Sequence, residues 1–210
     1  MYRLAELEDG RRKGIGWALL GFGTILLAVA VWWIHFSSFP LTEVVDSVEQ
    51  PVVLSSFDWV PRGWIWKGLG YLAAFAGSQM MLAGAVFVFM LNQRLTWSRA
   101  LFGAFIAWIE LVVLFGIVPS EWLNLAQTDL DWSTQRIAFT VPPALVLGNQ
   151  LDISWAVFKD TISTVWHLVM IPAVAIFALE VQKMYKGRPA AAEKPEKRSP
   201  YGRPLVKGDV

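Results

Sequence analysis

Residues 64–91 read WIWKGLGYLAAFAGSQMMLAGAVFVFML, an apolar run interrupted by one lysine near its start and one glutamine near its middle. About 20 helical residues cross the hydrocarbon core of a bilayer, so this run predicts a transmembrane helix. Three further runs of this kind occupy residues 15–36, 101–118 and 154–183. We therefore predict an all-α fold, an integral membrane four-helix bundle.

The overall composition agrees with the membrane class. Of the 210 residues, 55% are apolar and only 17% are charged, whereas a soluble domain has about 25% charged residues. The net charge of +1 gives no electrostatic basis for binding nucleic acid, which we do not expect as a partner. The chain has no cysteine, which excludes disulfides, cysteine-ligated metals and thiol nucleophiles.

The distribution of lysine and arginine predicts the orientation. Basic residues concentrate in three segments, namely 1–14, 92–100 and 184–210. Short flanks rich in these residues stay in the cytoplasm. We therefore predict an N-in/C-in, multi-pass protein of the plasma (inner) membrane, with both termini cytoplasmic. The last segment is rich in Pro, Lys and Ala, which predicts a disordered cytoplasmic tail.

The two remaining connections are predicted to be structured outer loops. Segment 37–63 contains three prolines and leaves room for a short helix near 42–49. Segment 119–153 contains the mixed stretch 132–141, which we expect to lie on the membrane surface as a helix or a strand. Tryptophans flank both segments, as expected for an interfacial aromatic belt.

Small residues predict how the helices pack. Gly70, Gly77 and Gly84 follow each other at seven-residue spacing and return to nearly the same helix face. Gly103 and Ala107 begin the third span in a similar way. Such grooves let another helix approach closely, which drives association in lipid. Packing within the bundle and docking onto another subunit both fit this pattern.

Among the polar residues inside the predicted spans, three matter most, namely Gln79, Glu110 and His167. Asp160 and Thr164 share one side of the fourth span with His167. An ionisable group at this depth costs about 2.5–3.5 kcal/mol on insertion scales, so such residues are candidates for function. The five residues are our candidates for a ligand or proton site. The alternative is an interhelical hydrogen bond from Glu110 to Gln79 or His167.

The sequence favours no cofactor bound by this chain alone. His35 and His167 are the two histidines, and their different predicted depths do not suit the axial ligation of one haem b. We identify no nucleophile elbow, phosphate loop or metal-ligand cluster, so we assign no catalytic residue and no metal site. Quinone is the candidate ligand.

In topology alone, a four-span chain with both ends inside resembles the membrane cytochrome b anchors of respiratory dehydrogenases. The repeated haem-ligating histidines of those anchors are missing, so no residue role carries over. We expect a non-catalytic subunit of a larger membrane complex, with a quinone-linked respiratory complex as the first choice. Its partners would be the lipid bilayer and other integral membrane subunits, and we expect no enzyme activity from the chain on its own. The alternatives are a small transporter or channel component, and a membrane assembly factor.

Overall fold

The computed structural model describes residues 8–93 and 96–186, and these are mostly helical. Within these residues, four helices are long and apolar enough to cross a membrane, as expected for a multi-pass membrane protein. They span Asp9–Ser37, Trp64–Met90, Trp97–Thr128 and Trp155–Val181. The first helix begins and the third ends well outside the expected spans, because regular helix continues through the polar residues beyond the apolar runs.

The elements follow one another in a simple order. Helix α1 is Asp9–Ser37, and α2 is Trp64–Ala85 followed by one π turn, Val86–Met90. Helix α3, Trp97–Val112, continues through a π turn, Val113–Ile117, into α4, Val118–Thr128. Two strands connect α1 to α2, namely β1, Thr42–Val45, and β2, Val48–Pro51. Two more connect α4 to the last helix, namely β3, Ile137–Val141, and β4, Leu151–Ser154. The last helix, α5, is Trp155–Lys186.

Helices α1 and α2 pack with their backbones in contact. The buried α1 residues Gly16, Gly23, Ala30 and Ser37 recur every seven positions, and the first two face the glycines of α2. A Cβ atom added to Gly77 would lie only 2.8 Å from the Leu27 backbone nitrogen. Small residues on both helices are what permit this approach.

All three spaced glycines of α2 pack against α1 inside the chain. A Cβ atom at Gly84 would lie 2.5 Å from the Leu20 nitrogen, and one at Gly70 would lie 2.6 Å from a side-chain carbon of Ile34. The grooves on these two helices are therefore occupied by each other.

The two small residues that begin the third span behave differently from each other. Gly103 faces α2, since an added Cβ atom would lie 2.7 Å from the terminal methyl of Met90. Ala107 is exposed within the chain.

Arginine 12 joins α1 to the end of α2. Its side chain is fully buried, donates a hydrogen bond to the Leu91 carbonyl and lies 3.1 Å from the Asp9 carboxylate. The last carbonyls of a helix lack partners within it, and a cation there also complements the helix dipole. We call this end of the helices, where α2 leads into α3, the link end.

The opposite end carries the two antiparallel hairpins, and we call it the hairpin end. The fold is therefore not purely α-helical, and the expectation of a short helix near 42–49 is wrong. Val44 and Val45 pair with residues beyond a tight turn at Asp46 and Ser47, whose φ angles are 50° and 65°. β-Branched residues around a two-residue turn with positive φ favour a hairpin.

The second hairpin contains the predicted interfacial stretch 132–141, which forms a strand from Ile137. Strand β3 pairs with β4, and Thr140 bonds the Asp152 carboxylate across the pair at 2.6 Å. Trp155, at the start of α5, donates its backbone amide to the Arg136 carbonyl at 2.9 Å. The hairpin is thus tied directly to the following helix.

The π turn between α3 and α4 leaves one carbonyl without a helical donor. The Val118 amide donates to Val113, five residues back. In that pattern the donor for Leu114 would be residue 119, which is proline and has no N–H. The Trp166 indole fills this role, because its Nε1 atom donates to the Leu114 carbonyl at 2.7 Å.

The chain divides into two compact units after Leu168. In the second unit, the described residues 169–186 continue α5 and include Pro172. Their large apolar side chains, such as Ile176 and Phe177, are more than half exposed, as expected for contact with lipid. From residue 187 on, the predicted disordered tail lies outside the described residues.

Candidate functional site

The centre of the candidate site is a side-chain pair between α2 and α3. The Gln79 Nε2 atom donates a hydrogen bond to Glu110 Oε2 at 3.0 Å. Gln79 lies two residues after Gly77, about 200° around the helix, so it points away from α1. The glycine face of α2 therefore binds α1, while its opposite face presents an amide to the carboxyl group of α3.

The pair lies in an apolar part of the helices and is not sealed by the chain. Both side chains are half-buried, and neighbouring α3 residues such as Trp108, at 61% exposure, and Leu111, at 41%, face outward. In the described part of the chain, the Gln79 amide is the hydrogen-bond partner shown for the Glu110 carboxyl. A carboxyl group can form several hydrogen bonds, so this one retains capacity for another group.

His167 forms a separate site on α5. Its Nδ1 atom lies 2.7 Å from the Ser163 carbonyl oxygen, which can only accept. Nδ1 therefore carries a proton, and in the neutral ring Nε2 is the acceptor. The ring centre lies 5.9 Å from that of Phe115, a residue five positions beyond Glu110.

This placement separates His167 from Glu110. Five residues correspond to about 7.5 Å along a helix. No hydrogen bond between the two side chains is found among the described residues. Of the two partners considered for an interhelical bond from Glu110, the structure contains the bond to Gln79, and the histidine instead contacts the Ser163 carbonyl of its own helix.

Asp160 and Thr164 also make local contacts. The Thr164 hydroxyl donates to the Asp160 backbone carbonyl at 2.8 Å, and both residues are exposed. The Asp160 carboxylate lies 3.4 Å from the ammonium group of Lys159, the preceding residue. Of the five sequence-predicted candidates, the structure brings Gln79 and Glu110 together and leaves the other three on α5.

An ion pair at the hairpin end, between a buried lysine and an exposed aspartate, was missed by sequence reasoning. The ammonium group of Lys67, near the start of α2, lies 2.8 Å from the Asp129 carboxylate at the end of α4. Beside it, Tyr71 lies near the carboxylates of Glu121 and Asp129. The sequence shows Lys67 as a cation in an apolar run. Its partner, Asp129, lies 62 residues further along the chain, and residue spacing within one helix cannot predict such a contact.

Two indoles attach the first half of α5 to the preceding helices. Trp166 bonds the free Leu114 carbonyl, and the Trp122 Nε1 atom donates to the Lys159 carbonyl at 3.1 Å. Trp132 packs between Trp122 and Trp155, with ring centres 5.7 Å and 5.0 Å away. These aromatic contacts concentrate at the hairpin end, where an interfacial belt would lie.

Metal ligation finds no support in residues 8–93 and 96–186, where no three His, Asp or Glu side chains group closely enough to hold an ion. The two cavities described in this part of the chain are lined by residues other than Gln79, Glu110 and His167. The polar pair is thus a partly open contact on the side of the helices.

No family model, no curated protein and no solved structure matches the chain.

Proposed function

We propose that this chain is a non-catalytic membrane subunit of a larger complex, and that Glu110 and Gln79 line a quinone or proton site shared with partner subunits. The observation that carries the proposal is the half-buried Gln79–Glu110 pair, 3.0 Å apart in an apolar region. A carboxyl group there is expensive and marks a functional site by default.

Packing supports the need for partners. Helices α1 and α2 bury each other's small residues. In contrast, only 6% of the residues in the most apolar stretch of Trp97–Thr128 are buried, and none of those in the most apolar stretch of Trp155–Val181. The half-buried Glu110 lies on the first of these exposed spans. A neighbouring membrane subunit that packs there would enclose the carboxyl group and complete its hydrogen bonding.

The chemistry of the pair suits a lipid-soluble quinone. A quinone carries two carbonyl acceptors, and it takes up protons when it is reduced. The neutral carboxyl form of Glu110 could donate to a carbonyl, and the Gln79 amide would hold that carboxyl in place. We therefore propose a quinone-linked electron-transfer complex as the assembly, in which partner subunits hold the redox centres.

Charge supports one orientation of this subunit. Arg11, Arg12, Lys13 and Arg99 all lie at the link end. The connection from α1 to α2 at the hairpin end carries the acidic residues Glu43, Asp46, Glu49 and Asp58. By the positive-inside rule, we place the link end in the cytoplasm and the protein in the plasma (inner) membrane.

The test separates assembly from turnover in the complex purified from its own membrane. Glu110→Gln keeps a polar side chain but removes the transferable proton. Proton transfer by a positioned group contributes about 10²–10⁴-fold to a rate, so we expect an intact complex with quinone-linked turnover lowered at least about 100-fold. Thr24→Val is the matched control, because Thr24 is exposed and its hydroxyl donates to the Leu20 carbonyl of its own helix.

Two results would overturn the proposal. If Glu110→Gln leaves both assembly and turnover unchanged, the carboxyl group is not at a functional site. If the same variant prevents assembly, and the double variant Gln79→Leu/Glu110→Leu, which removes both partners of the hydrogen bond, assembles with unchanged turnover, the pair is a structural hydrogen bond.

A further inference from the structure

A cavity of about 510 Å³ opens at the link end, away from the Gln79–Glu110 pair. It lies where α1 begins, α2 ends and α3 begins. Its lining combines cations, polar groups and aromatic rings from these three elements: Lys13, Trp17, Val88, Phe89, Gln93, Ser98, Arg99 and Phe102. This volume falls in the range of about 300–1,000 Å³ that small-ligand sites occupy.

Three aromatic rings form one wall of the cavity. Phe89, in the π turn of α2, is the central ring, with Trp17 of α1 at 5.8 Å and Phe102 of α3 at 5.6 Å, both edge-on. Edge-to-face contacts of this kind hold rings in fixed positions. Trp17 remains 54% exposed and Phe89 41% exposed, so the wall offers apolar surface to a ligand.

Two cations lie beside this wall, toward the helix ends. Lys13 lies one helical turn before Trp17, and Arg99 lies three residues before Phe102. Gln93 and Ser98 add neutral hydrogen-bonding groups. Among the described residues that line the cavity, the charged ones are Lys13 and Arg99, and none is acidic.

We propose that this cavity binds the headgroup of an anionic phospholipid, with the phosphate between Lys13 and Arg99 and the upper acyl chain against the aromatic wall. Basic pockets between transmembrane helices bind such headgroups. Lys13 lies in the first turns of a helix that crosses the membrane, which is the depth of the headgroups. A soluble anion would use the cations but leave the exposed aromatic wall uncovered, so we assign the ligand to the lipid.

The experiment measures retained lipid by native mass spectrometry. The full chain, with any partners that purify with it, is placed in nanodiscs of phosphatidylcholine and phosphatidylglycerol and then released. A cation near an anionic surface contributes about 1 kcal/mol, a factor of about five. We expect preferential retention of phosphatidylglycerol, reduced about fivefold by Lys13→Gln, about 30-fold when Arg99→Gln is added, and unaffected by Lys13→Arg.

Arg11→Gln is the matched control, because Arg11 is exposed, lies two residues from Lys13 and does not line the cavity. This variant should retain phosphatidylglycerol like the unmodified chain. Equal losses in Arg11→Gln and Lys13→Gln would show a diffuse charge effect and overturn the proposal. Displacement of the lipid by millimolar inorganic phosphate would assign the cavity to a soluble anion and would also overturn it. Lys13 is exposed, so we expect Lys13→Gln to fold normally. An unchanged elution volume in size-exclusion chromatography checks this before lipid retention is compared.

Discussion

The contact between α1 and α2 gives the sharpest stability prediction, through the variant Gly84→Ala. The new methyl group would lie 2.5 Å from the Leu20 nitrogen and 2.7 Å from the Gly16 carbonyl oxygen, and ordinary contact begins near 3.4 Å. These are backbone atoms, which cannot rotate away as a side chain can. The helices must therefore separate locally by about 1 Å, and neighbouring contacts lose much of their dispersion energy.

The magnitude follows from overpacking. Inserting a methyl group into a well-packed contact costs about 1–3 kcal/mol, and we expect the upper end here. Gly68→Ala is the control, because its added methyl group meets nothing within 4 Å. Alanine is about 1 kcal/mol better than glycine in a helix, so the control should be neutral or more stable. Gly84→Ala gains the same helix propensity as the control, so the difference between the two variants reflects overpacking alone, and we expect about 2–3 kcal/mol.

The assay is the free energy of unfolding in mixed micelles, obtained by titration with a denaturing detergent and followed by tryptophan fluorescence. Gly21→Ala on α1 is a second control, since an added methyl group there also meets nothing within 4 Å. The reasoning fails if Gly84→Ala is as stable as Gly68→Ala. That result would mean that α1 and α2 are not in backbone contact at Gly84.

Two further predictions test the π turn and the orientation. Trp166→Phe should lower the free energy of unfolding by about 1–3 kcal/mol, because it leaves a buried carbonyl without a donor; adding Pro119→Ala supplies a backbone N–H and should recover part of this loss, whereas equal losses with and without it would refute the account. Because the chain has no cysteine, single Ser56→Cys and Ser98→Cys variants can be labelled without background. A membrane-impermeant maleimide added to intact cells should modify the first and reach the second only after permeabilisation, and the reverse result would invert the proposed orientation.

The sequence was most informative about features that are defined within a single helix. Long apolar runs predict the transmembrane helices, because a bilayer requires about 20 apolar residues per span. Seven-residue spacing also predicts the packing face of α2, since Gly77 and Gly84 must share one side of a helix. The position of Gln79 on the opposite side follows from the same periodicity.

Features that depend on two distant segments were less accessible. The pairing of Lys67 with Asp129 joins residues of separate helices, and periodicity within one helix cannot predict it. The hairpin at 42–51 differs from the predicted short helix because its two halves are stabilised by pairing with each other across the turn at Asp46 and Ser47. Periodicity places His167 on one side of α5 with polar residues. Its depth relative to Glu110 depends on the packing of α5 against Phe115, and the sequence alone does not define that packing.

The central claim, that this chain works as a subunit, is tested most directly by the native mass of the particle that a mild detergent releases from its own membrane. The chain itself has a mass of 23.6 kDa. The account predicts a larger particle that contains at least one other integral membrane protein in fixed stoichiometry, with a visible spectrum from redox centres held by those partners. A monodisperse particle that contains only copies of this chain, with no visible chromophore, would contradict it.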